Sequence, residues 1–444
     1  MDYNKHYKKE LPIISLFGMG GGVGSNLIGG VTKSDNWILV IGGSDNDRAN
    51  DVAVNSSGDV YVVGQTASTG AGSNSGWIGK FDSQATEQWQ RTLGSTNSDR
   101  FEQVSLDSSD NVYVDGYSQG VGQGQYDGVI VKYNSSGTLQ WQRTLGGSSQ
   151  DFLIGSIADS SGNVYVAGQT SSTGQGSYDA LFAKYNSSGT LQWQRTCGDS
   201  NSGVARGAGL DSSDNLYTAG YQGTNTNVFK YNSSGTFQWA KQLEVGDAQD
   251  IAVDSSGNSF IVGQHSGGGP HLRIHKRNNG GDFQWQKTLG GTGTTYGYGI
   301  CLDSSGNIYV VGETNVEGAG IQDVLILKYN SSGTLQWQRT LGGTGADYGI
   351  GIAHDGSGNI IIAGRTYSAG AGNADILIAK LPDDGSLTGT YGSFTYAASS
   401  LTADSPSNPT GNPSYTSATS SLTSATSNMT SSSASLSKST EYIP

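Results

Sequence analysis

Three of the five histidines in this 444-residue chain fall within residues 265–275, HSGGGPHLRIH, with an arginine between the second and the third. Such a cluster invites a metal reading, because neutral imidazole is a common ligand. On an extended segment, however, His271 and His275 share a face about 13 Å apart, using ~3.3 Å per residue, which is too far for one ion. Two readings without a metal stay open, a neutral drift of loop lengths and a polar recognition patch made of His265, His271 and Arg273, joined by Asn225, Asn227 and Asp247 from two connections that are short for this chain. Other chemistry is not legible. The sequence has no Gly-x-Ser-x-Gly elbow, His-Glu-x-x-His, phosphate-binding loop or close cysteine pair. The run GMGGGVG at residues 18–24 imitates a dinucleotide fingerprint but no βαβ unit follows it. No catalytic residues and no cofactor are expected.

The elements that would position the patch come from a repeat. Trp37, Trp89, Trp141, Trp193, Trp239, Trp285 and Trp337 are spaced 52, 52, 52, 46, 46 and 52 residues apart. Self-similarity at such a period outranks any single motif. Each unit carries short apolar runs with period-two alternation, separated by Gly, Asn, Asp and Ser, as in NVYVAG (163–168), ALFAKY (180–185) and the run around Trp193. A weaker run precedes each Asp-Ser-Ser-Gly turn. Four antiparallel strands per unit, a to d, follow. The d strands are displaced by one: the first, residues 36–43, arrives before any a, b or c strand, and the last c strand is followed by no tryptophan. The N-terminal strand should complete the last blade and leave no open sheet edge. The expected fold is an all-β, seven-bladed β-propeller over residues 37–387, with extended segments at 1–36 and 388–444.

A residue recurring in every blade is read as structural. That covers the tryptophans and the Arg or Lys two residues later; Asp127, Asp179, Asp323 and Asp375, present in four blades, are expected to cap turns. Departures concentrate in blades 4 and 5. From the b-strand aromatic to the Trp there are 28 residues in blade 3 (Tyr165, Trp193), but 22 in blade 4 (Tyr217, Trp239) and 25 in blade 5 (Phe260, Trp285). From Trp239 to Phe260 there are 21, against 24 elsewhere. All three deletions fall in connections that emerge on one face, which should carry a notch flanked by the six residues named above.

With the pattern D-x-x-G-N-x-Y-V-x-G followed by K-Y-x-x-x-G-x-x-x-W, the chain resembles the bacterial seven-bladed β-propeller repeats. The resemblance implies the fold and little about activity. Asn-Ser-Ser-Gly-Thr-Leu-Gln-Trp is similar to the Asp box of sialidases, but Trp193 follows Gly189 by four residues where that pattern sets three. The flanks, LPIISLFGMGGGVGSNLIGG and the Ser/Thr-rich end, are similar to those of structural proteins of marine tailed bacteriophages. That implies a non-enzymatic virion protein in which an exposed propeller serves as a tail, fibre or capsid-associated knob for host attachment. Its partners would be other virion proteins, through residues 1–36 and 388–444, and a host surface glycan or protein, with the chain a homo-oligomer in the particle. A secreted or surface binding module, or a propeller glycan hydrolase or lyase, is the alternative.

The net charge of −13 is concentrated in the ring, since residues 1–36 carry +1 and residues 388–444 carry −1. An acidic ring argues against nucleic acid, and no 18-residue apolar run is present to cross a membrane. Cys197 and Cys301 lie three blades apart and should be free thiols. In the tail, Tyr415, Leu422, Met429, Leu436 and Ile443 fall seven residues apart. Such spacing suits an a/d heptad, but Ser and Thr fill most other positions and are poor helix formers. The tail is expected to be disordered in the monomer and to order against neighbouring subunits.

Overall fold

The computed structural model describes residues 35–265, 271–404, 416–419, 423–426, 430–433 and 437–443; the N-terminal assembly segment expected at 1–36 lies almost wholly outside them. The described regular structure is all strand. Seven blades form in chain order, each with strand a innermost. The closing strand Asn36–Gly42 pairs antiparallel with Asp375–Pro382, Trp37 opposite Lys380 and Ile41 opposite Ile376, so the ring closes as the displaced repeat requires.

The recurrent residues fasten each blade to the next. The indole of Trp89 donates to Ser135 O at 3.2 Å and Arg91 Nε donates to Gly137 O at 3.2 Å, both in the c–d turn of the following blade. Trp141 with Arg143, Trp193 with Arg195 and Trp337 with Arg339 repeat the pair. The turn glycine is required twice over. Gly137 has φ +74°, and a Cβ there would lie 2.6 Å from the Trp89 ring. Asp127 and Asp179 cap their turns, accepting from Gly124 N at 2.9 Å and from Gln175 N at 2.8 Å.

The tail differs from the expectation. Instead of a coil awaiting other subunits, its described strands lie on this chain's own ring and run around it backwards. Phe394–Ala398 pairs with the d strand of blade 6, Thr402–Asp404 with blade 5, Thr416–Thr419 with blade 3, Thr423–Thr426 with blade 2 and Thr430–Ser433 with blade 1. Ser437–Ile443 then pairs with the closing strand itself, Asn36 opposite Ile443. The register repeats: Thr395, Thr402, Thr416, Thr423, Thr430 and Ser437 stand opposite Gly342, Gly290, Gly198, Gly146, Gly94 and Gly42. Seven residues are one step from blade to blade, roughly 23 Å of extended chain, and the periodicity is that of a belt. Blade 4 has no such strand among the described residues. The step counted through it falls on residues 409–412, outside them, and its d strand has Glu244 where the other six have glycine.

Candidate functional site

The inner strands shape the central channel through one recurring irregularity. Every a strand carries a register shift against its b strand, between Ala49 and Asp51, Phe101 and Gln103, Leu153 and Gly155, Ala205 and Gly207, Ala248 and Asp250, Gly297 and Gly299, and Gly349 and Gly351. A bulge leaves one residue out of the ladder and re-aims its side chain. The skipped residues include Glu102, Arg206, Gln249 and Tyr298, and all four line the channel mouth.

That mouth is a cavity of about 520 Å³ to which every blade contributes. Four arginines meet in it, Arg48 from blade 1, Arg100 from blade 2, Arg206 from blade 4 and Arg365 from blade 7. Arg100 Nε lies 2.7 Å from Glu102, Arg206 Nη1 donates to Asp247 at 2.7 Å, and the Arg365 guanidinium lies 4.2 Å from the centre of the Tyr348 ring. Burial lowers the Arg48 pKa to about 10, with Arg100 and Arg365 adding to the effect. Burial also raises the Glu102 carboxyl, against the pull of Arg100, Arg48 and Arg206. Crowded like charges in a partly desolvated mouth favour an anion arriving from outside. An aromatic wall stands beside Arg100: the Tyr117 and Phe152 rings are 4.9 Å apart, and Tyr126 lies 5.4 Å from Phe152.

Below the mouth the channel narrows at Asp51, Gln103 and Asp250, which also border a second cavity of about 470 Å³ containing Cys301. These three side chains tie blades together. Asp51 accepts from Val104 N at 3.0 Å, Gln103 from Ser156 N at 2.8 Å and Asp250 from Ile300 N at 3.1 Å. Walled in by protein, Asp51 is pushed up to about 8, by burial and then by Asp250, and Asp250 to about 7, by burial. The folded ring thus holds protons here that the unfolded chain releases near pH 4, and this stability is lost as pH rises through 7 to 8. The melting temperature should fall between pH 5.5 and 8.5. Asp51→Asn, which keeps the acceptor for Val104, should flatten the fall by the equivalent of a few kcal/mol; an unchanged slope would show Asp51 to be ionised throughout.

Two of the three shortened connections expected to form the notch lie among the described residues. Where blade 3 spends residues 171–178 between strands b and c, blade 4 uses only Gly223 and Thr224, and Phe237–Val253 runs without a loop from the d strand of blade 4 into the a strand of blade 5. Two of the notch's six candidate residues are buried inside the blades. Asn227 is fully buried, and Arg273 is 2% exposed with Nη2 donating to Thr226. His271 takes the place of the repeat Asp, packing on Gly290 as Asp127 packs on Gly146. Asn225, half-buried, opens the shortened blade-4 strand opposite Val245, and the side chain of His265 lies outside the described residues. Asp247 reaches the channel mouth through Arg206.

The arginine cluster was missed because arginines were read as repeat residues. Arg91, Arg143, Arg195 and Arg339 are, but Arg48, Arg100, Arg206 and Arg365 stand at positions where other blades have Phe152, Tyr296, Ile350 or Gln169. One grouping with metal-ligand chemistry occurs among the described residues, Asp303, His354 and Asp383, with ligand atoms within 4.8 Å of one another. It is internally satisfied: His354 Nε2 lies 2.9 Å from Asp383, the Tyr309 hydroxyl 3.1 Å from both carboxylates, and Lys328 Nζ 3.8 Å from Asp383.

Comparison with known families places matches inside the ring. Residues 284–318 match the family described as Beta-propeller repeat, and residues 160–191 and 304–335 match Domain of unknown function (DUF5122) beta-propeller. The matched segments are similar to β-propeller repeats, in keeping with the seven-bladed fold. Among curated proteins, Uncharacterized WD repeat-containing protein L264 of Acanthamoeba polyphaga mimivirus is 23% identical over 190 residues, covering 32% of this chain and 14% of that protein. Among solved structures, the Neurospora crassa Pan2 WD40 domain has a TM-score of 0.42 at 10% identity, covering 75% of this chain and 89% of that one. A protein from Lactobacillus plantarum also has a TM-score of 0.42, at 13% identity, covering 74% and 92%.

Proposed function

We propose that the chain is a non-enzymatic recognition module whose binding site is the channel mouth, carried on a virion as an exposed attachment knob with the N-terminal segment tying it to neighbouring virion proteins. The observation that carries the binding site is the convergence of four arginines, each off its repeat position, from blades 1, 2, 4 and 7 on one cavity. A ring fastened blade to blade and belted on its outer edge is a rigid support, so that the mouth binds with little ordering cost. The virion setting rests on the likeness of the flanks to phage structural proteins.

The test uses fluorescently labelled full-length chain on a panel of bacterial cells. Wild type should attach to at least one strain, and Arg48→Ala with Arg365→Ala should reduce attachment about tenfold or more, while Ser136→Ala, in a c–d turn on the opposite face, should leave it unchanged. Equal attachment of the mouth variant and wild type would remove the site. Immunogold labelling of particles, against labelling of the cell envelope, separates a virion protein from a bacterial surface module.

A further inference from the structure

The chemistry of the mouth identifies a ligand class, an inference that rests on the reading just given. The positive groups are arginines, whose planar forks match carboxylates in two parallel hydrogen bonds, as a lysine cannot. The Nε atoms of Arg48 and Arg365 are buried without a hydrogen-bond partner among the described residues. Glu102 beside Arg48 and Arg100, and Asp247 beside Arg206, supply acceptors that would repel a polyphosphate and satisfy sugar hydroxyls. The half-buried rings of Tyr117 and Phe152 offer apolar faces with polar edges, suited to the C–H face of a pyranose. A volume of about 520 Å³ holds one or two sugar residues. Among the described residues the rim is low where Gly223 and Thr224 replace an eight-residue connection and the strand Phe237–Val253 needs none. Arg206 and Asp247 stand at that side. A chain seated in the mouth can leave over Gly223 and Thr224.

We propose that the mouth binds a carboxylate-bearing acidic saccharide, its carboxylate held by Arg48 and Arg365 and its chain leaving across the shortened rim of blades 4 and 5. The charge arithmetic favours one carboxylate per sugar over a denser polyanion. Four arginines line the cavity with Glu102 and, at its floor, Asp51 and Asp250, so little positive charge is left unmatched there, within a ring whose net charge is −13.

Isothermal titration of the full-length chain with α-1,4-tetragalacturonate and with N-acetylneuraminic acid tests this, with neutral galactotetraose and inorganic phosphate as controls. At least one acidic sugar should bind and neither control should compete. Arg365→Lys, which keeps the charge and loses the fork, should weaken binding about tenfold. Replacing Gly223 and Thr224 by the eight residues 171–178 should weaken the tetramer while sparing the single sugar. Melting curves confirm that the variants fold. Binding of the neutral tetramer equal to that of the acidic one, or phosphate binding with no response to either acidic sugar, would overturn the ligand class. If acidic sugars fail while the mouth variant still loses cell attachment, the ligand class falls and the binding site stands; if the mouth variant attaches normally, both fall.

Discussion

Deleting residues 1–44 is expected to abolish cooperative folding of the ring. The strand Asn36–Gly42 is not an edge. It lies between Asp375–Pro382 on one side and Ser437–Ile443 on the other, hydrogen-bonded to both. Its alternate faces serve two cores, Trp37, Leu39 and Ile41 packing with blade 1 and Ile38 and Val40 with blade 6, and none of the five is more than 4% exposed. At ~2 kcal/mol for each large buried side chain, this burial amounts to about 10 kcal/mol as an upper estimate. That is comparable to the whole stability of a typical domain. The deleted protein should aggregate or unfold non-cooperatively in urea. A sharp transition at the wild-type midpoint would mean that the ring closes without the strand. Trp37→Ala gives a graded check, expected to cost ~3 to 5 kcal/mol.

The same arithmetic of displaced repeats that identifies this strand made the fold legible. A residue that recurs from blade to blade declares a structural role before any coordinates are known, and Trp89, Arg91 and Asp127 all have the roles their recurrence implies. Loop lengths were legible too, because an insertion or deletion between fixed landmarks needs no side-chain information; hence the notch. What escaped was anything depending on direction. Period-two alternation assigns faces to strand residues, but a bulge breaks the alternation by one residue and leaves composition untouched. Glu102 and Arg206 therefore read as ordinary strand positions while their side chains line the channel. Arg273 failed in the opposite sense. It stands at a mostly apolar position of strand c, and the structure keeps it inside, bonded to Thr226, instead of exposing it as a contact. Replacing it should cost stability before it costs binding. The tail escaped for a different reason, since seven residues per step serve a coiled coil and a blade-to-blade belt equally well. Only the partner distinguishes them.

That ambiguity leads to the second large effect, expected on removing residues 388–444. In the belt, the residues before the first two outer pairings are anchors: Phe394 is 1% exposed and packs with blade 6, and Leu401 is 5% exposed and packs with blade 5, while Tyr396 is fully buried. Their loss removes on the order of 5 kcal/mol and bares the outer strand of six blades, each then a template for pairing with another molecule. The truncated ring should melt roughly 10 °C lower and aggregate on heating. The far end is pinned separately, because Ser437–Ile443 pairs along the whole closing strand and Lys438 Nζ lies 3.8 Å from Glu87. Between these anchors each four-residue pairing must offset about 1 to 2 kcal/mol of ordering entropy per residue with a few net hydrogen bonds of ~1 kcal/mol, so the middle strands hold only while both ends do. Removing residues 437–444 alone should therefore speed amide exchange in Thr416–Thr419, Thr423–Thr426 and Thr430–Ser433, well beyond the cut. A synthetic peptide of residues 410–444 should show little helix by itself and, added to a ring ending at residue 404, should recover part of the lost melting temperature. A helical peptide that self-associates and leaves the truncated ring unchanged would restore the coiled-coil reading of the seven-residue spacing.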